Sequence, residues 1–197
     1  MVTMTIGCFL GIRAAWPLQT EALSLIESLD AVLARQQLPP YQESGLVPTY
    51  RQDGIGRSVL DHHDSEALAD LANLARERRL PEAQLALLRS TRHGAMFLPL
   101  DFALPLSFRP PLAESRLNLG VGSAPRLQAE LRALGHVLGI PLKQGDLKDK
   151  TALRINDHLP LYAGDRAHHA ETGRTAWLLL YEGARLAQLH QLALILI

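Results

Sequence analysis

Eight histidines are present, and four of them stand in two doublets flanked by carboxylates, Asp61-His62-His63-Asp64 and Asp165-Arg166-Ala167-His168-His169-Ala170-Glu171. Imidazole beside carboxylate is a donor set for a divalent transition metal. The spacing argues against that use. Adjacent residues point about 100° apart on a helix and to opposite faces of a strand, so neighbouring rings do not converge on one ion. Helical ligand pairs sit three or four residues apart, as in H-E-x-x-H, which the sequence lacks. His63-Asp64 matches the dyad of metal-dependent phosphohydrolases, but those also need a histidine upstream and none precedes His62. The doublets therefore read as solvated residues flanking helices, and neither metal nor cofactor is expected.

Other chemistry is sparse. Gly120-Val121-Gly122-Ser123 ahead of a helical pattern could cradle an anion with free backbone N–H groups. It has Pro125 where a dinucleotide fingerprint wants glycine, and it reads first as a glycine-rich turn with a serine cap. Cys8, the lone cysteine, lies among apolar residues with no charged neighbour and is expected to be a buried structural thiol. The stretch from His93 to Phe108 holds Phe97, Phe102 and Phe108 among prolines with one acid, Asp101. Aromatics on a stiff extended segment could either plug the core or form a partner surface.

The elements that would position these groups follow from periodicity. Met1 to Ile12 reads as a first strand. Thr20 to Gln37 carries Ala22, Leu25, Ile26, Leu29 and Leu33 on one helical face, with Thr20 as cap and Pro39-Pro40 as stop. A second helix is predicted from Ser65 to Arg79, with a short continuation over Pro81 to Arg89. Ala95 to Pro111 reads as an edge strand or extended loop, because its four prolines lack ladder donors. Ser123 to Leu138 is the clearest helix: Ser123 caps, Pro125 suits the first turn, Leu127, Leu131, Leu134 and Leu138 share a face, and Gly139 closes it. Lys143 to Lys150 reads as a charged turn and Leu153 to Tyr162 as irregular or weakly extended. The helix from Thr172 to His190 is apolar almost all round and should be buried on several sides. Leu192 to Ile197 is expected to be an internal strand, beside the N-terminal one. The fold class is thus α/β or α+β, with a small sheet that includes the N- and C-terminal strands and about four helices covering it, in a single domain over residues 1–197.

Twenty Lys and Arg balance twenty Asp and Glu. A neutral chain lacks the cationic excess that nucleic acid or an anionic membrane requires, so neither is an expected partner. One cysteine cannot form an internal disulfide. No basic n-region precedes an apolar run near Met1, and no apolar block reaches a membrane-spanning length, so the expected compartment is the cytoplasm.

His93-x3-Phe97-x-Pro99-x-Asp101-Phe102-x2-Pro105, then Gly122-Ser123-x2-Arg126-Leu127-x2-Glu130-Leu131, together with Leu38-Pro39-Pro40-Tyr41-x-Glu43, resembles a group of small uncharacterised bacterial proteins. The resemblance implies an independent bacterial domain. With no catalytic constellation in view, the chain reads as a non-enzymatic protein-binding module of the immunity or adaptor kind. Its partner would be another protein, such as a toxin, or a second copy. The candidate binding residues are His93, Phe97, Asp101, Phe102, Gly122, Ser123 and Arg126. The alternative is a small hydrolase or small-ligand-binding enzyme using His93, Asp101 and the Gly122-Ser123 helix start.

Overall fold

A computed structural model describes residues 5–6, 8–45, 63–89, 94–111, 118–144, 146–157 and 166–197. At its centre is a mixed five-stranded sheet of β2 (Cys8–Leu10), β9 (Leu194–Leu196), β4 (Ala95–Leu98), β6 (Leu119–Ser123) and β5 (Leu106–Phe108), in that order. β9 runs antiparallel to both β2 and β4, β6 lies parallel to β4, and β5 closes the far edge antiparallel to β6. The terminal strands are neighbours, with Cys8 opposite Leu196 and Leu10 opposite Leu194. β4 is apolar at all its positions because it is central and covered on both faces. Among the described residues there are two smaller pairs: β1 (Thr5–Ile6) with β3 (His63–Asp64), and β7 (Leu142–Lys143) with β8 (Asp146–Leu147).

Strand alternation divides the core into two layers. Met96, Leu98, Leu119, Val121 and Ile195 face one side. There they meet Ala22, Leu25, Leu29 and Leu33 of α2 (Gln19–Arg35) and Ile12 of the short α1 (Ile12–Ala15). Ala95, Phe97, Leu194 and Leu196 face the other side. That layer is built by α3 (Ser65–Glu77), a 3-10 turn (Leu85–Arg89), α4 (Ala124–Val137), α5 (Asp149–Asp157) and α6 (Arg166–His190). α6 packs against α3, α4 and α5 as well as the sheet, which is why its side chains are buried nearly without a break from Thr175 to Ala187. Among the described residues no helix is long and apolar enough to cross a membrane.

Several local readings change: the first strand ends at Leu10, with Ile12 opening α1, and the Lys143 to Lys150 stretch holds the β7–β8 pair and the start of α5. Ala95 to Leu98 is a central strand rather than part of an edge loop: it ends before Pro99, so the proline costs no ladder bond, and the edge strand is Leu106–Phe108. Leu119–Ser123 is itself a strand rather than a turn. Leu153 to Asp157 belongs to α5. The first long helix has Leu18 at its N-cap with no side-chain cap, so Thr20 lies inside it. The α4 reading holds: Ser123 caps it, and Gly139 adopts the positive φ of 66° that closes many helices.

Candidate functional site

The sequence-predicted residues gather where β6 turns into α4. Ser123 Oγ accepts from the Arg126 backbone N–H at 3.3 Å, satisfying one of the donors left open by the helix start. The Ser123 backbone N–H donates to Gln84 Oε1 at 2.8 Å, and Gln84 Nε2 donates to the Ala103 carbonyl at 3.2 Å. Gln84 is fully buried and so ties the 3-10 turn, β6 and the loop after β4 together. Below it, the Glu130 carboxylate accepts from the backbone N–H of Gln84 at 3.0 Å and of Leu85 at 2.8 Å. Burial pushes the Glu130 carboxyl above the usual carboxylate range, and the backbone donors of Gln84, Leu85 and Ala83 act against that rise. Gly122 is required in this corner, since a Cβ would lie 2.6 Å from Gln84 Oε1 and 2.7 Å from Phe97 Cδ1.

Chemically the node is closed. The Gln84 and Ser123 groups that could meet a ligand are engaged with one another, and the arrangement locks three elements. Outside it, Asp101 Oδ1 receives Arg126 Nε at 2.6 Å, with side chains 66% and 47% exposed. Phe97 is fully buried, and Phe102 and Phe108 are buried as well. They fill the core on either side of the sheet, so the phenylalanine-rich stretch does not offer those rings to a partner. Of the candidate residues, Asp101 and Arg126 remain accessible, Gly122 and Ser123 are enclosed, and His93 lies outside the described residues. His62 lies outside them too, while His168 and His169 fall in the first turn of α6. Cys8 is buried in β2.

Sequence reasoning missed Gln84 and Glu130. Glu130 had a signal: at 100° per residue it stands about 60° from Leu127, on the margin of the apolar stripe, where a carboxylate needs buried donors. A second signal lies in the order of the charges. From position 58 to 75 the chain carries Asp61, Asp64, Glu66 and Asp70 and no Lys or Arg. On α3, Glu66, Asp70 and Glu77 share one register, spanning about 40° of arc at 100° per residue. Asp70 and Glu77 are exposed there, while Leu68, Leu71, Ala72 and Ala75 on the opposite side are buried.

A family model described as "Putative DNA-mimic protein" matches residues 55–196. Among curated proteins and among solved structures, none matches the chain. The family match corrects the expectation of an immunity or adaptor protein with a toxin as partner, and it lends nothing to the small-hydrolase alternative.

Proposed function

The chain belongs to the family described as "Putative DNA-mimic protein", and from that premise we propose that it engages a DNA-binding protein at the surface which that protein presents to DNA. The observation that carries this reading is the family match over residues 55–196. Duplex DNA displays one negative charge per about 1.7 Å of axis, so a mimic needs a local carboxylate array more than a large net charge. With twenty charges of each sign, the chain could supply such an array only by segregating them. The stretch without Lys or Arg from position 58 to 75 is such a segregation, and it falls inside the matched span. Carboxylates one helical turn apart, as at Glu66 and Asp70, are spaced about 6 Å along the axis, within reach of a row of Arg and Lys side chains built for phosphates.

The test is displacement. Immobilised duplex DNA is loaded with DNA-binding proteins from a bacterial lysate and challenged with the folded chain. Wild type should release at least one protein, less so as salt rises. The double variant Asp70→Lys/Glu77→Lys should need roughly tenfold more protein for the same release, a difference of about 1.4 kcal/mol. No release at any concentration would sink the mimic reading, and equal release by both proteins would remove α3 from it.

A further inference from the structure

After α2 the segment from Pro39 to Ser44 runs as a strap to the joint between α6 and β9. Its backbone is tied at both ends. The Tyr41 N–H donates to Asp30 Oδ1 of α2 at 2.7 Å, the Ser44 N–H donates to the Gln191 carbonyl at 3.3 Å, and Ser44 Oγ donates to the His190 carbonyl. Between those ties the Tyr41 side chain is buried, and Glu43 Oε1 lies against Gly11 while accepting from the Arg13 N–H at 3.4 Å. Two oxygens remain. Tyr41 Oη and Glu43 Oε2 are both enclosed, and neither has a hydrogen-bond partner among the described residues. They are neighbours: burial first, and then the Glu43 charge, push the Tyr41 hydroxyl above its usual range, and the hydroxyl faces the Ala193 backbone. The Ala193 carbonyl in turn accepts from the Gly11 N–H at 2.7 Å, so both side chains converge on the Gly11–Ala193 step. Leaving a buried hydroxyl and a buried carboxylate oxygen unpaired would forfeit the hydration that each has in the unfolded chain.

From this geometry we propose that a single water molecule is bound between Tyr41 Oη and Glu43 Oε2 as a fixed part of the fold. It accepts the Tyr41 hydroxyl proton and donates to the Glu43 carboxylate, two bonds of the kind that hold buried waters in place. The chemistry of the pair selects water. One neutral donor and one carboxylate oxygen match a molecule that accepts and donates at once, and among the described residues no group of three or more His, Cys, Asp or Glu could hold a metal ion. The bridge fastens the strap, which precedes the family-matched span, to Ala193 inside that span. It does not depend on the mimic reading.

High-resolution crystals of the full chain, together with water–protein rotating-frame Overhauser spectra in solution, read the site directly. Wild type should show one ordered oxygen within about 3.2 Å of both Tyr41 Oη and Glu43 Oε2, and a persistent water cross-peak to the Tyr41 ring protons. Tyr41→Phe keeps the ring, removes the donor, and should lose the ordered oxygen. Thermal unfolding gives an independent reading. Glu43→Ala should lower Tm in wild type and lower it by less than half as much in the Tyr41→Phe background, because there the bridge is already gone while the Arg13 contact is lost in both. A direct Tyr41–Glu43 hydrogen bond, no ordered oxygen between the two in wild type, an ordered oxygen that persists in Tyr41→Phe, or equal Tm shifts in the two backgrounds would each overturn the proposal.

Discussion

Glu130 on α4 holds the backbone of Gln84 from 46 residues away, both carboxylate oxygens accepting its N–H at 3.0 and 3.1 Å. The same carboxylate takes the Leu85 N–H, so one side chain closes the start of the 3-10 turn and pins it to the helix. Removing it would leave buried donors without acceptors. Glu130→Ala should cost about 3 kcal/mol, and Glu130→Gln, which keeps one acceptor oxygen, about half of that. The raised carboxyl also gives a pH signature. A folded-state value above the unfolded one means the native state binds the proton more tightly, so this contribution is fully present below about pH 4.3 and is lost as pH rises through the folded value. Urea unfolding across pH 4 to 7 should therefore show wild type losing stability relative to Glu130→Gln as pH rises. A constant difference would contradict the assignment.

The two glycines on the helical side of β6 should respond differently to the same substitution. A Cβ at Gly122 meets the ring of Phe97 and the amide of Gln84, both fixed in the core. At Gly120 the nearest atom is Leu87 Cδ2 at 2.7 Å, the end of a side chain that is only partly buried. Gly122→Ala should cost about 2 kcal/mol or more and Gly120→Ala under about 1 kcal/mol. Equal losses on thermal unfolding would mean that Leu87 is as rigidly held as Phe97.

The accessible pair Asp101–Arg126 should matter little to stability. Both side chains are substantially exposed, and such ion pairs contribute roughly 0–1 kcal/mol. Asp101→Asn should shift the unfolding free energy by less than about 1 kcal/mol, with the shift shrinking in high salt. A larger, salt-insensitive loss would show that Asp101 also organises the loop that Gln84 grips through Ala103.

Legibility in the sequence tracks how local the determinants are. The α4 stripe, its Ser123 cap and its Gly139 stop lie within 17 residues and were readable. So was the pairing of the chain ends, because an unbroken apolar hexamer has few soluble fates. β6 was hidden because Gly120 and Gly122 leave only Leu119 and Val121 to show alternation, and the missing side chains that disguise the strand are what admit Leu87 at Gly120 and Phe97 and Gln84 at Gly122. α5 was hidden because its first turn is Asp149-Lys150-Thr151, charged like the turn before it. The Glu130–Gln84 lock is a long-range pairing that no local pattern encodes. The acidic register of α3 is in plain view, but carboxylates on the polar side of an amphipathic helix read first as a solvated face.

Gly11 and Glu43 should be energetically coupled. Gly11 has φ of 96°, a conformation that favours glycine. A Cβ there would also overlap Glu43 Oε1, whose carboxylate accepts from the Arg13 backbone N–H at 3.4 Å and is pushed above its usual range by burial. Gly11→Ala in wild type thus suffers both backbone strain, about 1 kcal/mol or more, and the displacement of a half-buried carboxyl. In a Glu43→Ala background only the strain remains. The cost of losing the Arg13 contact enters both arms of the cycle and cancels, so the double variant should be more stable than the sum of the single changes by roughly 1 kcal/mol. Additivity within about 0.3 kcal/mol would show that Glu43 moves aside freely and that the backbone angle alone demands glycine at position 11.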